Sequence, residues 1–243
     1  MVTTRSSTSA ASRNIFTHAP SSFTLLWLAI SLPLVIWDTG YVLGRPHTMH
    51  GGRAHWPLWL PYKLYGEVDY VYGWKAILDK NGFTAAQSTL NVIETVLYLA
   101  YLWLWRSRGS WEGGDAAAAA AAAPGDREGR GAWVVRGRVG ALALLLGFSA
   151  AVMTLSKTLL YWCNEYFSGF ENVGHNEFVD LLLMWILPKF VYLFHRILVL
   201  FLFANLLGAA ASGAWLVGSA YMIWSMGSEI LDKLEHTAHV KRE

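Results

Sequence analysis

The stretch "LNVIETVLYLAYLWLW", Leu90 to Trp105, decides how the chain is read. All but one of its residues suit a helix in or against lipid, and the exception is Glu94. A carboxylate in hydrocarbon costs from about 3 to more than about 10 kcal/mol, depending on the scale. A residue that expensive marks a span whose interior has work for a charge.

Composition agrees with a membrane chain. Of 243 residues, 54% are hydrophobic and 15% charged, with 13 Trp, 11 Tyr and 11 Phe. Soluble domains carry about 25% charged residues, so an integral membrane protein is expected. The net charge of +2 is too small to suggest a nucleic-acid partner, and the basic residues form no binding stripe, so none is expected. Cys163 is the only cysteine, so no intramolecular disulfide forms and the redox compartment stays open. Residues 1–20 are rich in Ser, Thr and Ala, with no early apolar core. They predict a disordered, uncleaved tail ahead of a first span.

A crossing takes about 20 mainly apolar residues. Four regions qualify: Phe23–Leu43, Ser88–Trp105, Val139–Trp162, and an overlong Phe178–Ile230. The fold class is therefore an all-α integral membrane protein, a four-transmembrane-helix bundle over residues 21–235. Loop 107–132, with "WEGGDAAAAAAAAPGDREGRG", is a low-complexity insertion. The loop between the first two spans, with Trp56, Trp59, Trp74 and many tyrosines, predicts an ordered segment at the interface. Arg106, Arg108, Arg127, Arg130, Arg136 and Arg138 flank or fill the second loop, whereas Cys163–Glu177 has no Lys or Arg. The positive-inside rule places the second loop and both termini, including tail 236–243, in the cytosol.

Asp38 falls late in the first span, Glu94 early in the second and Lys157 late in the third, with Glu165 at its mouth. That orientation brings them to similar depth on one side. Two readings stand together. One is a buried ion pair or hydrogen-bonded network that fixes helix register, with Lys157 neutralising a carboxylate. The other is a polar pocket in which a desolvated carboxylate meets a ligand or a proton. Glu67, Asp69 and Asp79 read as solvated loop charges. His47, His50 and His55 match no metal-ligand spacing, so no metal and no cofactor are expected. Nucleophile elbow, P-loop and dinucleotide fingerprint are all missing from the sequence.

"WDTGY" around Asp38, "VIET" around Glu94 and "NEYFSGFENVGHNEF" after the third span together resemble the EXPERA superfamily. This is the group of emopamil-binding protein, the sterol Δ8–Δ7 isomerase, and of the sigma-2 receptor. The stretch from Trp37 through Lys75 looks like a fungal-type branch. In the fourth span "SGAWLVGSAYMI" matches the family's Asn-x-x-Trp, with Trp215 at the tryptophan and Ser212 where Asn is usual. Residues 189–212 interrupt that helix pattern, as a lineage insertion or a gene-model artefact. If they cross, the chain has five spans and its C-terminus moves to the lumen.

The resemblance implies a sterol-binding protein of the endoplasmic reticulum membrane, to which the lysine of "HVKRE" lends support. It implies double-bond isomerisation with Glu94 and Asp38 catalytic, and Trp215, Thr95, Lys157, Tyr41 and Glu165 binding ligand. The partners are then a sterol or other small lipophilic ligand and membrane lipid, with a homodimer left open. Three departures bear on the reaction: Leu34 replaces a histidine, Leu97 a threonine and Ser212 the asparagine. The alternative is a non-catalytic, sigma-2-receptor-like binder of sterols or cationic amphiphiles with a trafficking or regulatory role.

Overall fold

The computed structural model describes residues 16–113, 131–177 and 215–235. Four long helices dominate them. Helix α1 (Ser22–Leu43) starts at Ser21, whose hydroxyl accepts the Thr24 N–H at 3.0 Å, satisfying one of the free amides of the first turn. It ends at Gly44, where a side chain would strike the Gly40 carbonyl oxygen at 2.8 Å. After two short helices, α2 (Tyr62–Val68) and α3 (Trp74–Leu78), come α4 (Phe83–Arg108) and α5 (Gly137–Phe167). A last helix, α6, covers residues 215–235.

Helix α4 packs against both α1 and α5. Helix α6 runs antiparallel to α1, with Trp215 against Trp27 at 5.2 Å and Tyr221 against Phe23 at 4.4 Å between ring centroids. It meets α5 where Gly147 leaves room for Met226. Chain direction thus alternates through the four helices.

Helices α1 and α5 are long and apolar enough to cross a membrane. Helix α4 has the length, 26 residues or about 39 Å, but Asn91, Glu94 and its aromatic residues dilute its hydropathy. All four helices turn large apolar side chains outward, among them Ile30, Ile93, Leu145 and Val217. Thr154, Lys157, Ser219 and Glu229 lie inside.

The all-α expectation needs one correction. Strands β1 (Thr17–His18), β2 (Gly109–Glu112) and β3 (Ala132–Arg136) form an antiparallel sheet in the order β1-β3-β2 across one end of the bundle. The tail predicted over 1–20 is therefore ordered from residue 16. His18 is wholly buried, and its Nδ1–H donates to the Glu229 carboxylate at 2.9 Å. Both edges of loop 107–132 are likewise structured. The Trp105 and Trp133 indoles each donate to the other's carbonyl, at 2.9 and 3.0 Å, and hold the strands to α4. Strands this short carry too few alternations to stand out in sequence. Residues 114–130, the whole interval 178–214 with the 189–212 insert, and tail 236–243 lie outside the described residues.

The opposite end is capped by residues 44–82 and 168–177. Tyr70 ties them, its N–H donating to the Asn172 carbonyl at 3.1 Å and its ring stacking on His175 at 3.9 Å. The aromatic loop is ordered, as expected. The third loop begins later than predicted, because α5 continues through Cys163 to Phe167.

Candidate functional site

Gln87, Asn91, Glu94 and Tyr98 follow one another at intervals of four, three and four, which lines them along one face of α4. Thr154, Lys157 and Tyr161 do the same on α5. The two stripes face each other. Lys157 Nζ sits 2.8 Å from Glu94 Oε2 and also donates to Asn91 Oδ1. The Tyr98 and Thr154 hydroxyls meet at 3.0 Å, and Gln87 donates to the Lys157 carbonyl at 3.2 Å. Across these two stripes the polar side chains answer one another, as burial demands.

Next to these stripes lies a cavity of about 130 Å³, within a partly open cleft of about 770 Å³. Asp38 from α1, Lys157 and Tyr161 from α5, Asn91 from α4 and Trp215 from α6 contribute to its wall, and Tyr62 enters from α2. The Tyr62 hydroxyl donates to Asp38 Oδ1 at 2.6 Å. Its ring stacks on Tyr41, 3.7 Å between centroids with the planes 11° apart. Tyr65 and Tyr72 complete the aromatic side. Burial, and after it the nearby Asp38 charge, pushes the Tyr62 and Tyr72 hydroxyls well above their ordinary range. Burial, followed by the Asp69 charge, does the same to Tyr65. All three stay protonated and able to donate at neutral pH.

Of the residues expected at the site, Asp38, Lys157 and Trp215 line this cavity. Tyr41 lies behind Tyr62, its hydroxyl donating to the Tyr72 carbonyl at 2.9 Å. Glu94 is buried but is not part of the cavity wall, and its charge is spent on Lys157. Thr95, half-buried beside it, also lies outside the wall. Glu165 is two helical turns beyond Lys157 and belongs to the cap, where it accepts from the Asn172 amide at 2.8 Å.

Asp69 requires a correction. It is wholly buried, accepting the Val71 N–H at 3.2 Å and the Tyr161 hydroxyl, whereas Glu67 and Asp79 are exposed as expected. Sequence reasoning also passed over Gln87, Asn91, Tyr62, Tyr65, Tyr72 and Tyr161. The interval pattern on α4 and the Lys157–Tyr161 spacing were the available signals; the loop tyrosines offered none.

This arrangement brings one carboxyl group held by a phenol, an ammonium neutralised by a second carboxylate, and several aromatic faces to a small interior space. Such a space suits a hydrophobic ligand with one polar end, and its ring faces favour developing positive charge. Comparison with family models, with curated proteins and with solved structures finds no match to this chain in any of the three.

Proposed function

We propose that the chain is a four-span EXPERA-type protein of the endoplasmic reticulum membrane whose interior cavity binds a sterol. The outward apolar faces of α1, α4, α5 and α6 around a polar interior support four crossings. Arg106, Arg108, Arg136 and Arg138 at the sheet end of the bundle support a cytosolic sheet, cytosolic termini and a lumenal tyrosine cap. The observation that carries the ligand reading is Asp38 held by Tyr62 in an aromatic cavity inside the bundle. At about 130 Å³ the cavity is smaller than the roughly 300–1,000 Å³ of drug-sized sites. A sterol places part of its ring system there and the remainder in the cleft.

On the catalytic version of this reading, Asp38 exchanges a proton with the ring system while Trp37, Trp215 and the tyrosine faces stabilise the cation. Glu94 acts through Lys157, which it holds in place. A double-bond shift adds a proton at one carbon and removes one at another. With Glu94 engaged by Lys157, Asp38 serves both steps. The same engagement favours the second reading, a non-catalytic binder, because a single carboxylate at the cavity is enough to hold a ligand.

Expression in a host lacking its own sterol Δ8–Δ7 isomerase, followed by sterol mass spectrometry, separates the two. Restored Δ7 sterols, lost in Asp38→Asn and reduced in Glu94→Gln at equal expression, establish the enzyme. Persistent Δ8 sterols with well-expressed, correctly located protein remove the isomerase assignment and leave the binder.

A further inference from the structure

The wall of the cavity leads to a second aspartate that the function above leaves unused. Asp69 lies between α2 and α3, wholly buried, and accepts the hydroxyl of Tyr161. Tyr161 lines the same cavity as Asp38, while Asp69 stands behind it, outside the wall. Tyr65, which also lines the cavity, interacts with Tyr161 through its side chain. The pattern repeats Tyr62, whose hydroxyl is given to Asp38.

A phenol carries one proton and two acceptor lone pairs. Once its proton is committed to a carboxylate, its oxygen can serve a ligand only as an acceptor. The carboxylate fixes that polarity, because turning the proton toward the ligand would take the Tyr161 donor from a buried carboxylate. At Tyr161 the cavity meets a phenol oxygen with the aspartate set back from it. An ammonium desolvated against that oxygen loses more hydration than a neutral hydroxyl does. Lys157, four residues earlier on α5 and about 6 Å away along the axis, already places one ammonium in this space.

We infer that the tyrosine end of the cavity recognises a neutral hydroxyl donor, with Tyr161 the specificity-determining acceptor and Asp69 its positioning residue. The inference rests on the sterol reading, under which the donor is the 3-hydroxyl. It directs that hydroxyl toward the cap and the ring system toward Lys157 and Trp215.

The test uses the full chain in phosphatidylcholine nanodiscs with a tritiated Δ8 sterol bearing a 3β-hydroxyl. Its 3-O-methyl ether, 3-ketone and 3-amino analogues are the competitors. The alcohol should bind about tenfold or more tighter than the ether or ketone, as expected where a buried acceptor is otherwise left unmet. Tyr161→Phe should weaken the alcohol alone and bring the ratio near one. Asp69→Asn, which releases the Tyr161 proton, should narrow the gap by improving the ketone, a change that loss of packing alone does not produce. Equal binding of alcohol and ether by the unmodified protein overturns the hydroxyl assignment and leaves sterol binding standing. Tighter binding of the 3-amino sterol than of the alcohol overturns its neutral character. Binding of no sterol at all overturns the sterol reading and this inference with it. The ligand series on the unmodified protein is decisive whether or not either variant folds.

Discussion

Lys157 closes on Glu94 and leaves Asp38 to Tyr62. The first contact is 2.8 Å between charged groups, both almost fully buried; the second is a 2.6 Å hydrogen bond at the cavity wall. The two carboxylates at similar depth therefore differ in kind. One is neutralised within the helix packing, and the other lines the cavity.

Breaking the first contact should be costly. Lys157→Met leaves Glu94 buried without its counter-charge, an expected loss of about 3–5 kcal/mol. The double variant Lys157→Met/Glu94→Leu should recover most of it, because well-packed apolar residues replace buried pairs at little cost. Melting midpoints in detergent, followed by fluorescence-detected size exclusion, provide the comparison. Equal losses in the single and double variants would show that the pair itself holds the helices together.

Tyr62→Phe removes the hydrogen bond to Asp38 and keeps the ring stacked on Tyr41. A hydrogen bond to a charged acceptor contributes about 1.5–3 kcal/mol to stability, and an Asp38 no longer held in place should bind sterol more weakly. The melting midpoint should move much less than in Lys157→Met. A variant that binds sterol as the parent does would remove Tyr62 from the site.

The cap tyrosines give a pH prediction. Burial raises the folded-state pKa of Tyr62, Tyr65 and Tyr72 above the ordinary value of 10.0. Below that value both folded and unfolded chains hold these protons, so stability does not depend on them. Above it the unfolded chain releases them first, and stability falls as pH rises. Tyrosinate absorbance should therefore show an early wave from accessible tyrosines and a late one that coincides with unfolding. Replacing the three by Phe should reduce the late amplitude. A late wave of unchanged size would assign it to other tyrosines.

At the other end, His18→Ala strips Glu229 of its buried donor and β1 of its anchor. We expect a loss of about 1–3 kcal/mol and faster proteolysis around residues 16–20. Cleavage mapping by mass spectrometry checks the location. Unchanged proteolysis would mean that pairing with β3 alone secures the strand.

The long helices were legible because apolar runs of that length seldom form anything else, and boundaries for α1 fell within a residue of those observed. The common depth of Asp38 and Lys157 was legible, and both line the cavity. Depth does not determine which way a helix is rotated, and rotation set the partners: it turned Glu94 to Lys157 and kept Thr95 off the wall. Asp69 was misread because a loop residue carries no periodicity, and its burial depends on Tyr161, 92 positions away. His18 and Glu229, 211 positions apart, left still less of a local trace.

That last separation orders the making of the molecule. While the chain is being synthesised, His18 emerges early and remains without Glu229 until 211 further residues have followed. Pairing of β1 with β3 becomes available at residue 136, well before α6 exists. The nascent protein thus passes through a stage with its sheet formed, three long helices present and the His18 imidazole waiting in the groove that α6 will fill. Insertion of the final helix is then the event that completes the interior, and a chain arrested before it displays an open seam for quality control to find.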